Sequence, residues 1–334
     1  NNFYTVTVYE KGAEIVRMLH TLLGDTGFAE ALDLYFQRHD GRAATVEEFF
    51  ECFVAVGGTD LKGFDLWWRQ AGTPHISIEE SWDGAVLTLD IRQTTAPTPG
   101  QSEKSPQIVP LRAGVIDAAG RAIGDEHLIV LRDEQETWAF DISTGFWKRS
   151  NNAPEVVSAN GTTAPKPTLS INRGFSAPVI VASASNLDES RHLLAFDSDP
   201  FNRWDAGRRL IKDGLTHLIL NGTPPAQETL EAFAKVLTDE SLDPAFQALV
   251  LRLPSDDDLA GTLAEGRLTP DPDSIHRGKK TFSAALATRL HDGLQAAYER
   301  LASDAPSVPD AEGSGRRSLR MTALGLLATI EGPD

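Results

Sequence analysis

The stretch Phe3 to Leu23, FYTVTVYEKGAEIVRMLHTLL, decides how the rest of the chain is read. A short β-branched run ending at Val8 gives way to apolar residues at Ile15, Val16, Leu19, Leu22 and Leu23. That three- and four-residue spacing places one buried stripe on an amphipathic helix. Thr and Val lose rotamer freedom in a helix, so regular helix is expected to begin close to Tyr9. Gly24 follows the last apolar position and is expected to end the helix as a left-handed C′ residue. Tyr9 then stands near the positive end of the helix, where developing negative charge is favoured. Read bare, a tyrosine at a helix start more often packs its ring and satisfies its hydroxyl nearby.

Working outward, Phe28, Leu32, Tyr35 and Phe36 mark a second helix that stops near His39, Asp40 and Gly41. Thr45 with Glu48 forms a capping box that opens a third, with Phe49, Phe53 and Val54 facing inward and Gly57 and Gly58 closing it. A fourth helix is expected to carry Leu61, Phe64, Trp67 and Trp68, with these aromatics in the core. The period then changes to two. Ile76 and Ile78, a turn at Asp83 and Gly84, and Leu87, Leu89 and Ile91 read as a hairpin. Further strands are expected at 111–116, 127–131, 136–141 and 168–172, with loops over 94–110 and 151–167. Short strands at this spacing suggest a small antiparallel β-sandwich.

Beyond Pro178 the pattern reads as helical to the end. Asp199-Pro200, Thr223-Pro224 and Asp243-Pro244 each place a capping residue before a proline, the arrangement favoured at Ncap and N1. Leu286, Leu290 and Leu294 continue an apolar stripe in a longer helix, and a proline-containing stretch at 305–315 precedes a last helix near 317–330.

The 334 residues are enough for two or three domains. A hydrophobic content of 41% argues for a folded chain. A formal charge of −17 argues against nucleic-acid and anionic-membrane partners, which select basic patches. No apolar run reaches the roughly 18 residues that a membrane helix needs, and no signal peptide is visible. The one cysteine, Cys52, sits in an apolar pattern and reads as a buried structural thiol. Eight histidines are scattered singly, with no pair at i, i+4 and no HExxH. No G-x-S-x-G elbow supports a serine hydrolase.

The string NNFYTVTVYEKGAEIVRMLHTLLG resembles the segment just after the zinc site in the aminopeptidase N family, the thermolysin-like zinc aminopeptidases that include bacterial alanyl aminopeptidases. The resemblance continues through LYFQRHDGRAAT, WWRQAGTP, RGFSAPV and FNRWDA, and so covers essentially the whole chain. Several ordered matches are far more specific than any one short motif. The resemblance implies that Tyr9, the tyrosine of VYEKG, donates a hydrogen bond to the oxyanion formed when zinc-bound water attacks a peptide carbonyl. It implies that Tyr4, five residues earlier, lines the pocket for the substrate's N-terminal side chain, although Tyr4 reads equally well as a core aromatic. The family's metal site is an HExxH helix with a glutamate about twenty residues further on. That site and the grip on the substrate's free amine lie before the tyrosine segment.

The expectation is therefore a C-terminal-side fragment of a zinc aminopeptidase, inactive alone, binding no zinc itself, acting on peptide substrates when intact, cytoplasmic and monomeric. Neither substrate side-chain preference nor oligomeric state is legible in the residues. The expected fold is multi-domain α+β. It comprises the helical end of a thermolysin-like catalytic domain (1–74), a small antiparallel β-sandwich (75–180) and a truncated α-solenoid-like domain (181–334). The rival reading is a complete noncatalytic scaffold whose β-sandwich and helical repeats present a peptide-binding surface.

Overall fold

The structure is a computed structural model and describes residues 7–150, 165–183, 186–302 and 310–331. The chain divides into two compact units, Asn1–Ala184 and Ser185–Asp334.

The first unit opens with a π-helical turn, Thr7–Lys11, that runs straight into α1, Gly12–His39. Met18 and Leu19 are buried, and Ile15, Leu22 and Leu23 pack against the same core, so the apolar stripe does what its spacing requires. Gly24 departs from the expectation. It takes φ 69° and ψ 177°, yet helix resumes immediately after it. A glycine accommodates one such residue without a Cβ penalty, and Phe28 and Leu32 draw the following turns onto the same core. The two expected helices are thus one kinked element.

α2, Val46–Gly57, begins with the full capping box: Glu48 N–H donates to Thr45 Oγ1 at 3.2 Å and Thr45 N–H to Glu48 Oε2 at 2.9 Å. Cys52 is buried and directs its thiol to the Glu48 carbonyl. The fourth helix is shorter than its apolar pattern implied. A 3₁₀ turn at Gly58–Leu61 and a positive-φ Gly63 leave only one α-helical turn, α3, Leu66–Arg69. Phe64 and Trp67 are nevertheless buried, and the Trp67 indole N–H donates to the Ile108 carbonyl at 2.8 Å.

The β-sandwich has two sheets. Strands β1 (Pro74–Trp82), β2 (Val86–Thr95), β3 (Val109–Ile116), β4 (His127–Leu131), β5 (Gln135–Asp141), β6 (Phe146–Ser150), β7 (Thr168–Ile171) and β8 (Ile180–Ser183) follow in order. One sheet runs β6-β5-β2-β1-β8 and the other β4-β3-β7. The β1–β2 hairpin pairs Ile78 with Ile91, and Ile76, Leu87 and Leu89 are fully buried, as period-two alternation demands. Two strands escaped the sequence reading, β6 and β8. The second corrects the expectation of helix throughout after Pro178, and it pairs parallel with β1, so the sandwich is antiparallel except at that edge.

Among the described residues the elements of the second unit are all helices: α4 (Leu187–Phe196), α5 (Pro200–Asn221), α6 (Gln227–Thr238), α7 (Pro244–Leu251), α8 (Asp256–Glu265), α9 (Pro272–Arg300) and α10 (Ala311–Glu331). Asp199 and Asp243 cap α5 and α7 with proline at the first turn, as expected. Thr223 does not cap α6, which starts at Gln227. The consecutive Pro224 and Pro225 hold the preceding residues out of helical geometry. Leu210, Ile211, Leu215, Phe233, Phe282, Leu286, Leu290 and Leu294 are buried in this unit's core. The α5 and α9 axes approach closely at Gly278, where a Cβ would lie 2.7 Å from Ile219 Cγ1.

Candidate functional site

Tyr9 lies in the π-helical turn, two residues before Lys11 and three before the first residue of α1. It is 56% exposed. π-helical turns are rare, and they occur frequently at functional sites because the extra residue in the turn re-aims a side chain. The segment that follows Tyr9 is anchored at two points. Lys11 Nζ donates to the Gly72 carbonyl at 2.9 Å, and burial lowers the pKa of this half-buried ammonium below that of an ordinary lysine. Two turns along α1, Arg17 Nη1 donates to the Gly174 carbonyl at 2.9 Å and Nη2 to the Phe175 carbonyl, with the guanidinium 5.9 Å from the Phe175 ring centroid.

The turn that receives Arg17 is itself built from unusual backbone. Asn172, Gly174 and Phe175 all have positive φ, at 58°, 60° and 53°. Asn172 supports it: its Oδ1 accepts from the Ala177 N–H at 2.9 Å and from the Ser176 hydroxyl at 3.1 Å. Asparagine visits this region more readily than other side chains because its amide bonds locally. Thus the RGFSAPV segment, quoted above only for its resemblance, forms the seat on which the Tyr9-bearing helix is anchored.

Beside this helix opens a largely apolar cleft of about 810 Å³. Ile15, Val16, Leu19, Tyr35, Phe49 and Trp68 supply its apolar wall, and Lys11, Gln70 and Gln101 its polar edge. Tyr9 is not one of the lining residues; Lys11 and Gly12 are. Not all of the aromatics of the helical segment are therefore core. Phe50, Phe53, Phe64 and Trp67 are, whereas Tyr35, Phe49 and Trp68 are half-buried on the cleft wall. Helical spacing cannot separate the two roles, because core and cleft lie on the same side of the helices.

Tyr4 lies outside the described residues. Among the described residues no three His, Cys, Asp or Glu side chains converge in a way that holds a metal ion. The donor set of a zinc centre is thus not found there, and no chemical step is routed through a metal held by these residues. No helix among them is long and apolar enough to cross a membrane.

These features define a class: a helical segment bearing an exposed tyrosine at its start, a β-sandwich of immunoglobulin-like size, and a separate array of helices. Residues 1–68 match the peptidase family M1 domain, residues 72–147 a domain of unknown function (DUF3458) with an Ig-like fold, and residues 187–334 a domain of unknown function (DUF3458_C) of ARM repeats. The chain is 39% identical to aminopeptidase N of Caulobacter vibrioides over 328 residues, which is 96% of this chain and 35% of that protein. It is 33% identical to aminopeptidase N of Escherichia coli over 345 residues, 98% of this chain and 36% of that one. The crystal structure of Legionella pneumophila aminopeptidase A in complex with aspartic acid shares the fold, with a TM-score of 0.80, 24% identity and coverage of 98% of this chain and 36% of that one. The chain is related to the aminopeptidase N family over nearly its whole length, and it spans about a third of the length of these relatives.

Proposed function

We propose that residues 1–334 are part of a zinc-dependent aminopeptidase that removes N-terminal residues from peptides. The observation that carries this reading is the similarity to aminopeptidase N along 96% of the chain, including the VYEKG segment. Within it, Tyr9 donates its phenolic hydrogen bond to the tetrahedral oxyanion. A phenolic hydroxyl is a competent hydrogen-bond donor. Its place at the mouth of a helix adds the favourable field of the N-terminal amides. Its side chain is more than half exposed. Tyr4 lines the pocket for the substrate's N-terminal side chain in the same reading. The activated water and the base that deprotonates it come from outside residues 1–334, and this chain's own chemical contribution is the oxyanion donor and the rigid mount that holds it.

The three-part division at 1–74, 75–180 and 181–334, the cytoplasmic location, and the intact enzyme's monomeric state with peptides as its substrates all belong to this proposal. The chain by itself is expected to retain no zinc after dialysis and to leave amino acid anilides uncleaved. Metal analysis of the purified 334-residue chain, run beside an anilide assay with and without chelator, checks both. Stoichiometric zinc that survives dialysis together with chelator-sensitive turnover contradicts the reading.

A further inference from the structure

We propose that Lys11 is a positioning residue: by bonding its ammonium to the Gly72 carbonyl it fixes the π-helical turn that presents Tyr9. This deepens the function proposed above and rests on it. The turn ends on Lys11, which has helical backbone angles (φ −66°, ψ −35°) and provides no side-chain cap for the helix that follows. A π-helical turn departs from regular helix, and links to other elements hold its geometry. Lys11 supplies such a link, reaching across 61 residues of sequence at 2.9 Å.

The acceptor side is the stiffer partner. Gly72 has φ 103°, and a Cβ there would lie 2.8 Å from Thr95 Cγ2, so the backbone is held where only glycine fits. Gln101 brackets the same connector, accepting from the Ala71 N–H at 2.8 Å and donating to the Arg69 carbonyl at 2.8 Å. Lys104 Nζ donates to the Ala71 carbonyl at 2.9 Å and to Thr98 Oγ1 at 2.7 Å. With the carbonyl immobilised in this way, the lysine conforms to it. Arg17 fixes the same helix two turns on, and two anchors at different heights set both the rotation and the axial position of α1. A side chain held at one end only is free to tilt, and a misplacement of about 1 Å at a reacting centre costs on the order of 10²-fold in rate.

The test uses the zinc-loaded enzyme that carries residues 1–334, with an anilide substrate. Lys11→Met is expected to lower kcat by between about tenfold and 10²-fold, with KM within a small factor and the melting temperature nearly unchanged. Lys11→Arg, which keeps a charged donor of similar reach, restores most of the loss. In a Tyr9→Phe background Lys11→Met has little further effect, because it acts through the tyrosine hydroxyl. Lys104→Met, which loosens the acceptor side without touching the turn, lowers kcat in the same direction by a smaller factor and serves if Lys11→Met fails to fold. Unchanged kcat in both lysine variants, or an undiminished Lys11→Met effect in the Tyr9→Phe background, overturns the proposal. If Tyr9→Phe alone leaves turnover intact, the oxyanion reading falls and this inference with it. If Tyr9→Phe is impaired while the lysine effect is additive, only the positioning role is lost.

Discussion

Replacing Tyr9 by phenylalanine in the zinc-loaded enzyme that carries this chain is expected to lower kcat by about 10² to 10³, the cost typical of removing one oxyanion donor. KM should stay within a small factor and the zinc content should not change. In the proposed function the phenolic hydroxyl meets an oxygen that becomes fully anionic only in the transition state, so its loss would be differential and fall on kcat. The ring remains in phenylalanine, and a side chain that is more than half exposed contributes little to packing, so the fold should survive intact. Steady-state kinetics of the two proteins, with metal analysis of each, decide the matter. A rise in KM alone, or turnover near the unsubstituted value, shows that Tyr9 is structural. The substitution complements the Lys11 series: one removes the donor and the other loosens its mount.

The largest stability effect is expected at Phe53. Its side chain is completely buried, with the Phe49 ring centroid at 4.7 Å and that of Phe28 at 5.4 Å. Phe53→Ala removes the ring that joins α2 to the second half of α1 and leaves a cavity that a close-packed interior fills only in part, a loss of about 3–5 kcal/mol. Phe36→Ala is the control, because Phe36 is 59% exposed on α1 and its truncation should change stability by about 0.5 kcal/mol or less. Urea unfolding followed by tryptophan fluorescence separates the two cases. Five of the six tryptophans, all but Trp204, lie in the first unit, so the signal reports chiefly on the unit that contains Phe53. A shift below about 1 kcal/mol for Phe53→Ala shows that this cluster does not hold the first unit together.

Local signals carried most of the helical architecture. The Thr45–Glu48 box and the Asp-Pro starts of α5 and α7 were legible because a cap is a contact between residues a few positions apart. The β1–β2 hairpin was legible for the same reason, with Asp83 and Gly84 between two alternating runs. What escaped was decided by distant partners. Ile180–Ser183 is a strand because His75 and its neighbours offer a parallel edge about a hundred residues upstream, and no local pattern announces that pairing. Phe146–Ser150 shows no buried alternation; pairing with β5 and the packing of Trp147 against Phe140 and His127 hold it, and Phe146 is left exposed. The Gly24 kink and the short α3 show the converse, in which glycine permitted an ending and tertiary burial decided whether the helix resumed.

The candidate site divides in the same way. Tyr9 becomes a candidate only through the longer string around it, since a lone tyrosine at a helix start has no chemical signature. Its supports were not legible. The Lys11–Gly72 and Arg17–Gly174 bonds join residues 61 and 157 positions apart, and lysine and arginine on an amphipathic helix read as solvated face. The cleft was hidden because Tyr35, Phe49 and Trp68 satisfy the pattern of a core.

On the proposed function, residues 1–334 serve a zinc centre held by another part of the same polypeptide. Determining the coding sequence that precedes the Asn1 codon tests it most directly. The expected result is an in-frame HExxH followed by a glutamate, the arrangement that places two imidazoles on one helical face with a carboxylate base between them. A reading frame that begins at or near Asn1, or an upstream coding region without that motif, contradicts this reading and favours a noncatalytic scaffold.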